Sequence, residues 1–336
     1  MSSTSVSSPS LADLTYARPN LKDNTLNEQE LDRLCPLDFG KHDLEPRKDL
    51  GGLERLPYEL IAEILALLDL RSLFDFRRVN QRAMQAIDAL PQLKQILKYN
   101  VTLVRAMLSV EVGSRYSCTE LLDTLKARDC RHCGDFAGYI DVLQCKRVCF
   151  LCFSQEQKDY LPLTAAQACQ KFGIDRSRLL NLSHMKAVPG RYSPNDKLCR
   201  KRSVLYDPES AQQAGTAWHG SQEAMRKAAA DHLAQKVLEY ENRMEEYLSG
   251  VIQSKPRRPT GSPEEHDGRS SNPRRYMAIV RAPSLAEGIS ISGFHCTGCQ
   301  REYRSRPLHW RRKYTDETFR THIQQGGVIR DGRHEP

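Results

Sequence analysis

The chain reads as a mainly α protein. Three short helices near the N-terminus lead into a small Cys-rich helical module, then one long helix, then a C-terminal β/α element of finger-like design. Three observations carry this reading. Residues 53–70, "LERLPYELIAEILALLDL", join good helix formers to an unusually wide apolar arc. Two Cys-x2-Cys knuckles, Cys130/Cys133 and Cys149/Cys152, stand fifteen residues apart. A third knuckle, Cys296/Cys299, precedes a helical stretch that contains His322.

The composition sets the outer limits. A length of 336 residues accommodates two or three modules. A hydrophobic content of 39% and a mean hydropathy of −0.60 are low for one compact globule, so part of the chain is expected to lack structure. Residues 1–50 are polar and Ser/Asp-rich and are expected to be mostly disordered. No run of about 18 apolar residues marks a membrane span, and "MSSTSVSSPS" lacks the basic-then-apolar pattern of a secretory leader. A cytoplasmic or nuclear setting follows as an expectation. In such a setting eleven cysteines point to metal ligands or free thiols, not to a disulfide framework.

The three-helix module is assigned to residues 51–100. Pro57 suits a helix start, where its missing N–H has no partner to lose. On the helix that follows, Leu60, Ile61, Ile64, Leu65, Leu67 and Leu68 span roughly 160°, against the ~100° stripe that one core contact needs. Asp69 caps "RSLFDFRR", Asn80 caps "QRAMQAIDAL", and Leu90-Pro91 ends the third helix. Three short helices in about 40 residues can scarcely bury themselves. The wide arc therefore serves either a partner or the remainder of the chain.

The stretch "LERLPYELIAEILALLDLRSLFDFRRVNQRAMQAI" resembles an F-box, through Leu56, Pro57, Glu59, Leu60, Ile64, Leu65, Leu68, Leu70, Leu73, Val79 and Asn80. The resemblance implies a three-helix F-box that docks on the Skp-type adaptor of a cullin-scaffolded ubiquitin ligase. Leu56, Pro57, Leu60, Ile64, Leu65 and Leu68 are the adaptor-binding residues it implies. The wider layout, with "RVCFLC" at 147–152 and "PGRY" at 189–192, resembles fungal F-box proteins that carry a downstream cysteine module.

The module at 101–206 holds the paired knuckles. Four thiolates at this spacing match a closed tetrahedral zinc site of Cys130, Cys133, Cys149 and Cys152. Cys145 competes with Cys149 as a ligand or stands as a spare core thiol. His132, inside the first knuckle, reads as exposed. Cys118, Cys169 and Cys199 lack partner spacing, and Cys35 lies in the polar N-terminal region. Four Cys ligands leave no open coordination position for hydrolysis, and a RING would need eight ligands. Thr164 and Asp175 cap two helices joined at Gly173. This arrangement vaguely resembles the zinc domain of excision-repair proteins, and it also suits a small core of Leu163, Ala168, Phe172, Leu179 and Leu182. Residues 145–202 carry twelve Lys or Arg against four Asp or Glu, which favours an anionic partner or a solvated basic face.

Residues 207–252 are assigned to one long helix, with "AWHGSQEAMRKAAADHLAQKVLEYENRMEEYLS" (217–249) free of Pro. A flexible linker spans 253–275, rich in Pro, Gly, Ser and charge. In 276–336, "RYMAIVRA" reads as a strand and Thr315 precedes a helix. Cys296, Cys299 and His322 supply three ligands of a second, incomplete zinc site. A fourth is expected near Gly326, one turn after His322, where glycine has no side-chain donor. His309, His295 and His334 are the alternatives. Trp310, Tyr303 and Tyr314 lie among arginines and suit either base stacking or a core.

Walker A, HExxH, GxSxG and GxGxxG motifs are absent from the sequence. The sequence thus predicts a non-enzymatic, zinc-stabilised F-box protein acting as the substrate receptor of a cullin-type ubiquitin ligase. Its target would be held by the zinc module and the C-terminal region. The alternative is a zinc-dependent nucleic-acid-binding protein.

Overall fold

The structure is a computed structural model, and it describes residues 10–18, 21–37, 45–156, 160–259, 271–301 and 308–335. Helices dominate, as expected. A 3-10 turn at Gly51–Arg55 opens the N-terminal module, and the helices Tyr58–Ala66, Leu70–Arg77 and Gln81–Asp88 follow. Asp69 and Asn80 cap the second and third through the backbone N–H groups of Ser72 and Ala83. Pro91 then starts a longer helix, Pro91–Ser109, at the point where the sequence ends the third.

That long helix is bent for a visible reason. Asn100 leaves helical geometry at φ −155°, ψ 73°. Its carboxamide oxygen accepts from Leu103 N–H at 3.0 Å and caps the second half, while its Nδ2 donates to the Arg281 carbonyl at 3.2 Å. A side chain inserted into the hydrogen-bond ladder is a recognised cause of kinks. Here it ties the helix to the strand Ile279–Arg281.

The cysteine module is more mixed than a helical reading allows. Tyr139–Asp141 and Lys146–Val148 form an antiparallel pair, extended by Ile279–Arg281 on the free edge of the first strand. Two further antiparallel pairs, His184–Lys186 with Val204–Tyr206 and Gly190–Tyr192 with Lys197–Cys199, frame the basic segment. These strands are three residues long, too short for a clear period-two pattern. The second capped helix of the sequence reading is a 3-10 turn, Arg176–Asn181. The first is the α-helix Ala165–Phe172, ended by Gly173 at φ +61°.

Three boundaries differ from the sequence reading. The single helix over 217–249 is two, Pro208–His219 and Gln222–Leu248. Gly220 at φ +81° breaks it, and Ser221 caps the second by accepting from Ala224 N–H. The 276–336 unit is divided: Ile279–Arg281 belongs to the central sheet, and the finger-like unit starts near Phe294. Of the 253–275 linker, 260–270 lie outside the described residues, and Arg274–Met277 form a helical turn with Arg275 and Tyr276 buried. Within the described residues no helix is long and apolar enough to cross a membrane.

The N-terminal fifty residues are the largest correction. Thr15–Tyr16 pair antiparallel with His295–Cys296. The helix Glu28–Leu34 packs on Pro91–Ser109 with Leu31 fully buried. Between them Asp23 is buried, accepts from the Tyr139 hydroxyl at 2.8 Å, and pairs with both Arg281 and Arg311. The Arg311 guanidinium also lies 3.7 Å from the centre of the Phe150 ring. A polar composition conceals this role, because the anchor is a charge network and not an apolar stripe.

Breaking one partner of a buried ion pair leaves the other charge stranded. Asp23→Ala should therefore lower stability by about 3–5 kcal/mol, read by urea denaturation. A loss below about 1 kcal/mol, the range of exposed pairs, would show that the N-terminal segment is not part of the folded unit.

Candidate adaptor surface and metal centres

The wide apolar arc on Tyr58–Ala66 proves to be two stripes. Ile61 is 5% exposed and Leu65 2%, and both join the main core with Leu70, Leu73 and Ile87. Leu60 is 45% exposed, Ile64 42% and Leu67 83%, at spacing i, i+4, i+7 along one outer face. Leu56, Pro57, Tyr58 and Val79 are exposed beside them. The exposed Glu59 and Glu63 lie on the same helix. A cleft of about 240 Å³ between Tyr58, Gln85 and Ala89 continues the apolar face.

The structure divides the implied adaptor set between two faces of the module. Leu56, Pro57, Leu60 and Ile64 are on the surface. Leu65 faces the core and Leu68 is half-buried against it. The helix turns 100° per residue, so the adjacent Ile64 and Leu65 point to different neighbours. Leu67 and Tyr58 belong to the outer face, and the 60/64/67 spacing is their signal in the sequence.

The first cysteine cluster is as expected. The sulfur atoms of Cys130, Cys133, Cys149 and Cys152 lie within 4.8 Å of one another, and no disulfide joins them. Cys133 Sγ and Cys149 Sγ are 3.6 Å apart. A disulfide would need about 2.05 Å. Zinc–sulfur distances of ~2.3 Å in a tetrahedron put neighbouring sulfurs about 3.8 Å apart, so the spacing fits a metal.

Local backbone geometry builds each knuckle. Gly134, at φ +74°, turns the chain so that its N–H donates to the Cys130 carbonyl at 3.0 Å. Across the site, Cys152 N–H donates to Cys149 Sγ at 3.4 Å. Neighbouring thiols donate to Cys130 and hold its pKa down, while the same crowding drives Cys149 and Cys152 up. Four close sulfurs cannot all ionise without a cation between them.

Cys145 lies outside this cluster. At φ +51° it occupies the left-handed turn between the strands, and its sulfur faces the Thr124 hydroxyl at 3.5 Å. Burial pushes its thiol up to about 11. His132 packs edge-on against Tyr160 and stays out of the cluster.

The second cluster brings together Cys296, Cys299, His322 and His334. Cys299 Sγ is 3.3 Å from His322 Nε2, and Cys296 Sγ is 3.3 Å from His334 Nε2. The Cys299 thiol, with His322 behind it, draws Cys296 down to about 4. Gly326 is no vacancy: a Cβ there would lie 3.3 Å from His334 Nδ1. His309 opens a separate 3-10 turn. His295 is held by the Arg312 carbonyl and, through burial, its pKa falls to about 4.

His334 had a readable signal. "VIRDGRHE" contains Asp-Gly between strand-like runs, the strongest short hairpin cue. Asp331 and Gly332 adopt φ +50° and +72°, and Arg333–Glu335 return antiparallel to Val328–Arg330. The turn carries His334 back beside His322.

In the basic segment many apolar side chains turn inward, while among its described Lys and Arg residues only Arg147 is buried and Arg176, Lys197, Arg200 and Lys201 are exposed. Leu163, Ala168, Phe172 and Leu179 form a buried core with Ala211 and Met225. Lys146 pairs with Glu209, Lys186 and Arg202 with Glu111, and Arg191 with Asp196. Tyr314 is buried in the finger core and Trp310 half-buried, while Tyr303 lies outside the described residues.

Comparison with known families agrees with the geometry of the N-terminal module: residues 53–95 match the F-box domain. Neither the curated proteins nor the solved structures contain a match to the chain.

The two stripes should separate experimentally. Leu65→Ala removes a core side chain and should cost about 2–5 kcal/mol. Leu60→Arg and Ile64→Arg, on the solvent face, should shift stability by no more than about 0.5 kcal/mol. Thermal melts of the three variants check this, and equal losses would contradict the division.

Proposed function

We propose that this F-box protein is a substrate receptor of a cullin-type ubiquitin ligase, docking on the Skp-type adaptor through its outer stripe and presenting a target elsewhere. One observation carries the reading: within the F-box, Leu60, Ile64 and Leu67 form an apolar stripe that stays exposed among the described residues. Leu56 and Pro57 extend it at the N-terminal end. The protein contributes binding and placement, not bond chemistry, and such a role belongs to the cytoplasm or nucleus.

The first cysteine cluster supports this role as a structural zinc centre. Four protein thiolates close the coordination sphere, which suits a fold staple and not a hydrolytic metal. Zinc fits a tetrahedral all-sulfur set in a protein whose cysteines are unbridged. The knuckle loops connect to the central sheet, where Arg131 N–H donates to the Arg147 carbonyl at 3.1 Å. Metal affinity there is folding energy. The same proposal gives target binding to the zinc module and the C-terminal region.

Co-expression with a Skp-type adaptor tests the docking. Leu60→Arg and Ile64→Arg each place a charge against an apolar partner and should reduce co-purification by more than about 100-fold, given several kcal/mol for an unpaired buried charge. Adaptor capture at wild-type levels by both variants would refute the ligase reading. For the first centre, native mass spectrometry of the full chain should show loss of one zinc in Cys130→Ser. Cys145→Ser should keep it; the reverse pattern would overturn the ligand set.

A further inference from the structure

We propose that Cys296, Cys299, His322 and His334 form a second, structural centre for a zinc-like divalent cation, and that this centre clasps the N-terminal segment onto the C-terminal unit. The cluster lies apart from the F-box and from the first knuckles.

Four donors from separate elements converge there. Cys296 ends a two-residue strand, Cys299 lies in a 3-10 turn, His322 projects from the helix Asp316–Gly326, and His334 comes from the terminal hairpin. The sulfur–nitrogen contacts of 3.3 to 3.5 Å match the edge of about 3.6 Å expected for ~2.3 Å sulfur and ~2.05 Å nitrogen bonds in a tetrahedron. A mixed thiolate and imidazole set selects a borderline-soft cation over calcium or magnesium. With four protein ligands the sphere is closed, so the centre is structural.

The surroundings are built to hold the ligands. His334 Nδ1 is 3.1 Å from the Gly327 carbonyl, which leaves Nε2 to face the sulfurs. The His322 ring stacks on Tyr314 at 4.5 Å. Gly298, between the two cysteines, leaves room for the imidazole: a Cβ there would lie 2.8 Å from the His334 ring. The unit also needs a staple. Its buried core is Cys296, Cys299, Tyr314, Phe319 and Ile329, two of which are the proposed ligands.

The N-terminal segment is fastened to this site directly. Thr15 is the strand partner of Cys296. The Leu14 carbonyl accepts from both the backbone N–H and the hydroxyl of Thr297, at 3.1 and 2.9 Å. Leu11 and Leu14 pack on the same small core. Without the cation, the knuckle that carries Cys296 and Thr297 loses its fixed geometry, and the strand lying on it loses its template.

Native mass spectrometry and hydrogen exchange on the full chain test both parts. The wild-type protein should carry two zinc ions, and Cys130→Ser one. His334→Ala should keep the first ion and weaken the second by more than about 100-fold in chelator competition, beyond the cost of an outer-shell change. Exchange at residues 11–18 should rise on the order of tenfold as local opening becomes easier, with the F-box helices unchanged. His334→Cys should retain two ions and His309→Ala should be silent. A wild-type chain with one ion, two tightly held ions in His334→Ala, or one ion in His334→Cys would overturn the centre. Loss of the second ion with unchanged exchange at 11–18 would overturn the clasp. If His334→Ala proves insoluble, the ion count in His334→Cys decides ligation, and exchange in wild-type protein stripped of its weaker ion decides the clasp.

Discussion

The buried guanidinium of Arg147 is the fixed point of the structure. Its five N–H donors meet five backbone carbonyls: Nε donates to Thr124, the two terminal nitrogens to Ala137, Ala282, Leu125 and Pro283. A guanidinium has five donors and no acceptor, so each is satisfied. No carboxylate pairs with it among the described residues. The charge is carried instead by carbonyl dipoles at the end of the helix Cys118–Lys126, where a cation is favoured. Burial pulls its pKa down to about 10, which leaves it protonated at neutral pH. One side chain therefore fixes the distance between a helix terminus, the loop leading from the first knuckle, and the segment after the strand Ile279–Arg281.

That fixed distance is what lets remote parts of the chain meet. Arg147 stands on the strand Lys146–Val148, shortly before the knuckle cysteine Cys149, so the sheet and the first cysteine cluster are held in one frame. The sheet gains its third strand from residues 279–281, more than 130 positions away, because Ala282 and Pro283 are bound to Arg147. Arg281, at the end of that strand, then reaches Asp23, and Arg311 reaches it from the finger-like unit. Polar groups buried in this way impose a defined geometry, since any shift leaves a donor or a charge unpaired.

The elements legible in the sequence were those whose physics is local. Caps at Asp69, Asn80 and Thr164, the helix start after Thr315 and the Gly173 stop all depend on a residue and its near neighbours, whereas Pro91, which reads as a helix stop, also starts Pro91–Ser109. The paired knuckles were legible because metal-ligand spacing is itself a sequence pattern. What stayed hidden was long-range or hung on a single residue. The N-terminal segment reads as unstructured because its anchor, Asp23, is one polar residue whose partners lie at 139, 281 and 311. Gly220 was passed over inside a strong helical composition, where propensity summed along a window masks one left-handed residue. By sequence distance His309, on the loop between knuckle and helix, is the nearer imidazole, whereas the Asp331-Gly332 turn brings His334 to the cluster. The resemblance gives Leu65 to the adaptor contact, and the wide arc alone does not say where it divides; in the fold Leu65 is buried in one core with Leu70, Leu73 and Ile87.

That division has a physical consequence for the molecule. A helix that spent its whole apolar arc on its own core would have nothing to offer a partner, and one that exposed it all would not stay folded in a module this small. Tyr58–Ala66 resolves the conflict by angle: residues 61 and 65 stabilise the module, and 60, 64 and 67 remain in water. The helix that follows Leu90 continues the core inward through Leu93, Ile96, Leu103 and Val104, to the kink where Asn100 holds Arg281. The outer stripe is thus presented from a base that is continuous with the sheet and the first cysteine cluster. A partner seated on Leu60 and Ile64 would be held at a set orientation to the cysteine clusters, because the path between them is packed side chains and satisfied hydrogen bonds and not a loose tether.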